Sequence, residues 1–233
     1  ANGVFGGMMP LLQVENLCFA YPGNPMLFKD LHLEIFPKEK VCIIGKNGAG
    51  KTTLFYIIMG LLGPLLKGKI ILEGKEIRTK KDLRYLRRKV GFLLQDPEDQ
   101  LFCPTLFDDV IFGPLNMGLS KDEAFEKAWQ VLKMLNIEDL AHKPPYALSG
   151  GQKRLGALAA VLAMDPELLL LDEPSNGLDE EAWKNLIFIL RNIDKAIVIA
   201  SHDTNFLEHV VSHWYELSSG KLKILSKTPG RIL

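Results

Sequence analysis

The sequence predicts an α/β domain, with a parallel core sheet, an antiparallel β layer and an inserted helical subdomain. Apolar strand patterns alternate with helical patterns along most of the chain, which is typical of a doubly wound core. The first strands instead alternate at period two, and one central segment has helical patterns without a clear strand. At 233 residues, 47% of them hydrophobic, the chain can bury a full core.

The predicted strands follow in order along the chain. "LQVENLCF" (12–19) and "LHLEIF" (31–36) have the alternation of half-buried antiparallel strands. "VCIIG" (41–45) is predicted as a buried strand, followed by a helix from about Lys51 and by strands at "KIILEG" and "VGFLLQ". After the helical segment come "LLLL" (168–171), a helix, "AIVIA" (196–200) and two short closing strands.

Residues 96–160 are predicted to form the inserted helical subdomain. One helix begins with a capping box formed by Ser120 and Glu123. Its apolar face is predicted to be core rather than a ligand platform, and it comprises Phe125, Ala128, Trp129, Leu132 and Leu135.

Composition excludes several classes of protein. The 28 basic residues balance 28 acidic ones, so we expect no nucleic-acid partner and interpret "RYLRRK" (84–89) as a solvated helix face. Three scattered cysteines suit neither a disulfide framework nor a zinc site. The longest apolar run, residues 54–66, is shorter than the ~20 residues of a membrane helix. We expect residues 1–8 to be an expression remnant without a signal peptide, with a natural start at Met8 or Met9 and a domain spanning 9–233.

The strongest motif is "GKNGAGKTT", residues 45–53, in which Gly45, Gly50, Lys51 and Thr52 match G-x-x-x-x-G-K-[ST]. It follows an apolar strand and precedes a helix, so its backbone N–H groups can converge on a phosphate. Lys51 would reach the β- and γ-phosphates and Thr52 would ligate Mg²⁺. This context disfavours an ordinary glycine turn.

Polar residues end three further strands. Asp172 and Glu173 follow "LLLL", where a carboxylate is costly unless it serves a cation such as Mg²⁺. Glu173 is then placed to polarise an attacking water. Gln95 and His202 follow "VGFLL" and "AIVIAS" and could reach the γ-phosphate, although either alone could be a cap or a loop residue.

A second predicted helix begins with backbone N–H groups that can bind an anion. "ALSGGQKRLGALAAVLA" (147–163) predicts a helix that opens at Ser149, Gly150 and Gly151 with bare N–H groups. The sequence therefore predicts two phosphate-binding helix starts, and the later one has no lysine among Ser149, Gly150 and Gly151.

Together these motifs resemble the nucleotide-binding domain of ATP-binding cassette (ABC) proteins, a P-loop NTPase, from Leu11 to about Leu225. The resemblance adds "LSGGQ" (148–152) as the signature, "SNGLD" with Asp179, and "FAYPG" with Tyr21 as the adenine-stacking loop. It implies an ATPase with ATP and Mg²⁺ as cofactors, in which two cassettes pair head to tail and each signature serves the partner's ATP. The pair would be two copies of this chain or this chain and a paralogous ATPase subunit.

The resemblance also implies the site residues. The catalytic residues would be Glu173, His202 and Gln95, and Mg²⁺ would be held by Thr52, Gln95 and Asp172. The residues implied to bind nucleotide are Tyr21, Gly45, Asn47, Gly48, Ala49, Gly50, Lys51, Thr52, Thr53, Ser149, Gly150, Gly151, Gln152 and Asp179.

A finer resemblance lies in residues 95–120, which are similar to the ATPases of energy-coupling-factor importers for cobalt, nickel or vitamins. It implies a peripheral position on the cytoplasmic face of the inner membrane and indirect coupling to a substrate-binding membrane subunit. A transmembrane coupling subunit would dock near Gln100, Phe102, Asp109 and Phe112, although Phe112 could instead pack inside the helical arm. Another ABC transporter class remains an alternative. A soluble ABC ATPase is disfavoured, because the sequence has no coiled-coil insertion, second cassette or basic face.

Overall fold

The strands form two sheets, one antiparallel and one mainly parallel. The computed structural model describes residues 7–63 and 65–225. The expected remnant lies outside these residues over positions 1–6. Within the described ranges, no helix combines the length and the apolar character needed to cross a bilayer.

The antiparallel sheet has the order β2-β1-β4-β5, as the period-two alternation of its first strands predicts. Its strands are β1 (Leu12–Phe19), β2 (Phe28–Ile35), β4 (Lys67–Leu72) and β5 (Lys75–Glu76).

The larger sheet has the order β10-β9-β3-β8-β7-β6, and all neighbouring pairs are parallel except β9 with β10. Because parallel strands end at the same edge, the residues that follow β3, β6, β7 and β8 meet there. The strands are β3 (Lys40–Ile44), β6 (Val90–Leu93), β7 (Leu168–Asp172), β8 (Ala196–Ala200), β9 (His213–Ser218) and β10 (Lys221–Leu225).

The parallel sheet is buried on both faces, which explains why its strands are continuously apolar. In β7, Leu168 and Leu170 pack in the core that includes the antiparallel sheet and the first two helices, while Leu169 and Leu171 pack in the core that includes the later helices. The helices are α1 (Lys51–Ile58), α2 (Lys80–Lys89), α3 (Leu106–Asn116), α4 (Lys121–Met134), α5 (Gly150–Ala163), α6 (Glu180–Asn192) and α7 (Thr204–Val210).

Helices α3, α4 and α5 pack on one another in the segment predicted to be helical. The predicted capping box of Ser120 and Glu123 begins α4. The prediction that the whole apolar face of α4 is core is wrong at Phe125, which is 53% exposed. Phe125 lies at the edge of the α4 face and contacts the ring of Phe107, with 5.2 Å between centroids, because the small side chains of Ala124 and Ala128 are what pack inward.

The loop from β6 to α3 is closed by two side chains that were expected to face a partner. The Gln100 amide bonds at 2.8 Å to both Leu94 N and Phe92 O. Asp109 is only 4% exposed, and its Oδ1 accepts bonds from Phe102 N (3.0 Å) and Cys103 N (3.1 Å). The expectation that Asp109 offers a docking group is therefore wrong, because its carboxylate is buried under this loop's backbone, whereas docking near the partly exposed Gln100 stays a prediction.

Phe102 and Phe112 do lie on the surface. They are 68% and 48% exposed, and their rings meet edge to face at 5.1 Å. This exposure decides against the alternative in which Phe112 packs inside the helical arm.

Candidate active site

The glycine-rich loop joins β3 to α1 at the edge where the parallel strands end. Gly50 is the N-cap of α1 with φ 106°, and a Cβ there would lie 2.8 Å from Cε1 of Phe28. Only glycine suits that position. Among the described residues no side chain caps α1, and its first turn has no acidic residue. The N–H groups of that turn are therefore available to an anion.

Lys51 reaches back over this loop. Its Nζ donates to Gly45 O at 2.7 Å and lies 3.5 Å from Nε2 of His202. Burial lowers the pKa of Lys51, while the charges of Glu173 and Asp172 oppose that shift. The ammonium group is thus held among the ends of three strands, where it can meet a phosphate.

Thr52 and Asp172 are joined directly. The Thr52 hydroxyl donates to Oδ2 of Asp172 at 2.5 Å, which links the first turn of α1 to the end of β7. Burial raises the pKa of the Asp172 carboxyl, the bond from Thr52 lowers it, and the charge of Glu173 raises it further.

Glu173 is held by the end of the neighbouring strand β8. Its Oε2 accepts the Ser201 hydroxyl at 2.8 Å and His202 N at 3.3 Å, and its Oε1 lies 3.6 Å from Nε2 of His202. Glu173 is 5% exposed and has φ 49°, a left-handed conformation that is strained for glutamate. Such strain is concentrated at functional sites. Here the left-handed conformation turns the chain at Glu173 away from the direction of β7.

These groups surround one cavity of about 810 Å³. Of the expected site residues, those that line it are Tyr21, Asn47, Gly48, Gly50, Lys51, Thr52, Thr53, Gln95, Asp172, Glu173 and His202. Gly45 and Ala49 belong to the loop without lining the cavity; the Gly45 carbonyl accepts Lys51, and Ala49 N donates to Lys46 O at 3.1 Å.

Tyr21 lines the same cavity and contacts the end of the phosphate loop. Its hydroxyl is 3.0 Å from Oγ1 of Thr53, and its ring meets Phe19 edge to face at 5.0 Å. The exposed ring is therefore oriented from two sides.

The signature residues lie outside this cavity. Ser149 and Gln152 form a capping box at the start of α5: Ser149 Oγ accepts Gln152 N at 3.2 Å, and Gln152 Oε1 accepts Ser149 N at 2.9 Å. The Gln152 side chain is thereby committed to its own helix, although the resemblance implied a nucleotide contact. Gly150 is exposed, and a Cβ added to it would meet nothing within 4 Å.

Gly151 and Asp179 have local roles in the same region. A Cβ on Gly151 would lie 2.4 Å from Gly177 O, so the helix start abuts the loop that follows β7. Asp179 is the N-cap of α6, where Oδ1 accepts Ala182 N at 2.8 Å. Like the signature, Asp179 does not line the cavity of its own chain.

Sequence reasoning missed several residues of the site. Ser201 binds Glu173 but looks like any polar residue after a strand. Asn176 lines the cavity, as do Asn24, Pro25, Met26 and Leu27 in the loop after Tyr21. Their only sequence signal is that they lie next to recognised motifs.

The oxygen groups of Thr52, Gln95 and Asp172 line the same cavity as Lys51. Within the described part of the chain no cluster of three or more His, Cys, Asp or Glu residues could hold a metal alone. Mg²⁺ does not need one, because it is usually bound through one or two carboxylates together with substrate phosphates and water. The donors present therefore fit Mg²⁺ bound together with a nucleotide.

Comparisons with known proteins agree with this geometry. Residues 28–176 match the family model described as "ABC transporter". A protein of Methanocaldococcus jannaschii named "Energy-coupling factor transporter ATP-binding protein EcfA" is 38% identical over 218 residues, which cover 92% of this chain and 78% of that protein.

Two solved structures have the same fold. One is cbiO1 of Clostridium perfringens, titled as part of the ABC transporter complex cbiONQ, with a TM-score of 0.80, 35% identity and coverage of 92% of this chain and 87% of that one. The other is a dimeric post-hydrolysis state of the ATP-binding cassette MJ0796 bound to ADP and Pi, with a TM-score of 0.83, 27% identity and coverage of 94% and 99%. The chain belongs to the ABC transporter family and is an ABC transporter ATPase subunit, with the fold of a P-loop ATPase.

Proposed function

We propose that this ATPase is the subunit that powers an energy-coupling-factor importer for cobalt, nickel or a vitamin. It works as a dimer at the cytoplasmic face of the inner membrane, where ATP binding closes the dimer and hydrolysis reopens it. The kinship with EcfA and with cbiO1 of the cbiONQ complex supports this subtype. The observation that carries it is the exposed pair of Phe102 and Phe112, which the loop after β6 connects to the nucleotide cavity.

We assign roles in hydrolysis from the cavity. Tyr21 stacks on the adenine, and the loop from Asn47 to Thr53 holds the phosphates. Glu173 accepts the proton of the attacking water, and His202 donates a hydrogen bond to an oxygen of the γ-phosphate. Thr52, Gln95 and Asp172 are the groups that would hold Mg²⁺, which when bound neutralises charge on the phosphates.

The second half of each site comes from the partner cassette. Ser149, Gly150 and Gly151 lie outside the cavity of their own chain, yet α5 presents exposed N–H groups at its start. A two-fold pair lets each such helix start meet the partner's γ-phosphate, with Asp179 near the shared boundary. The partner is a second copy of this chain or a paralogous ATPase subunit.

The membrane partner is a transmembrane coupling subunit, through which the substrate-binding membrane subunit is reached indirectly. Phe102 and Phe112 offer an apolar surface of the kind that receives a short amphipathic helix. The buried Asp109 supports this surface from below rather than contacting the partner, which docks near the partly exposed Gln100. Apolar contact therefore provides most of the docking affinity.

Co-purification from detergent-solubilised membranes tests the proposal. Replacing both Phe102 and Phe112 with alanine should abolish recovery of the membrane subunits and leave nucleotide affinity unchanged. The matched control is Phe188→Ala, which removes a phenylalanine that is 67% exposed on α6. A double variant that still assembles and supports ATP-driven uptake of metal or vitamin would contradict the docking surface and favour another ABC transporter class.

A further inference from the structure

Arg154 is a buried cation whose hydrogen-bonding capacity is mostly unused. It lies one turn into α5 and is 8% exposed. Its Nη2 donates to the main-chain oxygen of Gln95 at 2.9 Å, while Nε and Nη1 have no partner among the described residues. A guanidinium has five N–H donors, and burying them without partners is costly. A well-packed apolar side chain would avoid that cost, so the arginine calls for another explanation.

Arg154 lies beside the loop that carries Gln95. Arg154 lines a second cavity, of about 490 Å³, together with Tyr56, Gln95, Asp96, Pro97 and Asp99. Two of these residues are acids, and a carboxylate can accept two parallel bonds from a guanidinium. Burial lowers the pKa of Arg154, and the nearby charges of Glu173, Asp172 and Asp96 oppose that shift. Two carboxylates of this loop therefore line the same cavity as the guanidinium.

The neighbouring Lys153 shows how different Arg154 is. Lys153 forms an ion pair with Glu98, whose side chain is 67% exposed. Only the Glu98 end of this pair is exposed, because the Lys153 side chain is 17% exposed, and ion pairs that reach solvent contribute little to stability. Arg154 instead binds the main-chain oxygen of Gln95, a residue that lines the nucleotide cavity. A hydrogen bond to the main chain fixes the position of the backbone from which the Gln95 side chain extends.

We propose that Arg154 is a positioning residue that holds Gln95 at the nucleotide cavity from α5, through the Gln95 carbonyl. The inference rests on the proposed role of Gln95 in hydrolysis. The position of Gln95 would then depend on α5, the helix that begins at the signature residues Ser149 and Gly150.

A double-mutant cycle in ATP hydrolysis tests it. Loss of a supporting hydrogen bond of this kind typically lowers activity about 10- to 100-fold, so Arg154→Met should lower kcat by about that factor with little change in the KM for ATP. Gln95→Ala should lower kcat as well. Because Arg154 acts through Gln95, adding Arg154→Met to Gln95→Ala should cause less than about a twofold further loss. Arg154→Lys, which keeps one donor group, should recover part of the rate.

A second measurement does not depend on turnover. In the nucleotide-free protein, Arg154→Met should speed amide hydrogen exchange in residues 95–101 and leave α3 unchanged, because the loop loses its bond to α5. Arg88→Met, at an exposed position on α2 away from this loop, is the matched control and should change neither exchange in the loop nor kcat.

The outcomes distinguish the proposed role of Gln95 in hydrolysis from the proposed positioning of Gln95 by Arg154. Full activity in Gln95→Ala overturns the role of Gln95 and the inference with it. If Gln95→Ala is impaired and Arg154→Met lowers kcat by the same factor in Gln95→Ala as in the wild type, the proposed role of Gln95 stands and positioning by Arg154 is overturned. Unchanged hydrogen exchange in residues 95–101 of Arg154→Met leads to the same conclusion. Should Arg154→Met fail to fold, the same cycle is run with Arg154→Lys, whose losses must again vanish in Gln95→Ala.

Discussion

The hydroxyl of Ser201 donates a hydrogen bond to the Glu173 carboxylate, with 2.8 Å between Oγ and Oε2. Both side chains are buried, and they follow adjacent strands of the parallel sheet. This bond fixes the carboxylate that is assigned as the proton acceptor, using a residue that no recognised motif contains. Orientation of a base by a third group is a common feature of catalytic sites.

Removing that hydroxyl should impair catalysis more than binding. Ser201→Ala leaves a buried carboxylate short of one donor, so we expect a loss of about 1–3 kcal/mol in stability and a lower kcat with similar ATP affinity. Thermal unfolding and steady-state hydrolysis measure both effects. Ser212→Ala is the control, because its hydroxyl bonds to Lys40 O at the other end of the sheet. Equal effects of the two substitutions would argue against an orienting role for Ser201.

Glu173→Gln should separate binding from chemistry. A general base usually contributes 10²–10⁴-fold, so hydrolysis should slow by about 10²-fold or more while ATP still binds and holds the dimer closed. Single-turnover hydrolysis and size-exclusion chromatography with ATP provide the measurements. Glu181→Gln, at an exposed position on α6, should behave as wild type. Unchanged turnover in Glu173→Gln would remove Glu173 from its assigned role.

Mixing two inactive variants tests whether sites are shared between cassettes. Lys51→Ala disables the phosphate loop, and Gly150→Asp places a negative charge on the signature. The Gly150 position has open space for a side chain, so the chain should still fold, unlike a change at Gly151. In a mixed dimer both defects fall in one site, and up to about a quarter of wild-type activity should return at equal mixing. Persistent inactivity of mixed dimers that are shown to form would mean that the signature does not act in the partner's site.

The raised pKa of Asp172 predicts a pH-dependent stability in the nucleotide-free protein. Since burial makes the folded chain bind this proton more tightly than the unfolded chain, ionisation of Asp172 lowers the free energy of unfolding as pH rises through the folded pKa. Asp172→Asn should therefore be more stable than wild type at neutral pH, and the difference should shrink as the pH falls through the folded pKa towards the ordinary aspartate value of about 3.9. Thermal unfolding across this range measures it, with the exposed Asp194→Asn as control. A difference that does not vary with pH would contradict this assignment.

Local patterns were enough to predict the parts of the site that depend on neighbours in the chain. The loop at 45–53, the acids after β7 and the capping box of Ser120 and Glu123 involve residues only a few positions apart, so spacing alone specifies their geometry. The meeting of Lys51, Asp172 and His202 also follows, since parallel strands bring their carboxyl ends to one edge.

Only the tertiary structure decided which side chains are buried and what they bind. Asp109 was expected at the surface but lies under the backbone of Phe102, and Phe125 was expected in the core but lies at the edge of α4. Arg154 binds Gln95 across 59 positions and Ser201 binds Glu173 across 28. Helical periodicity shows which residues share a face, but the width of the buried face and the partner of a polar group are set by packing with elements distant in the sequence.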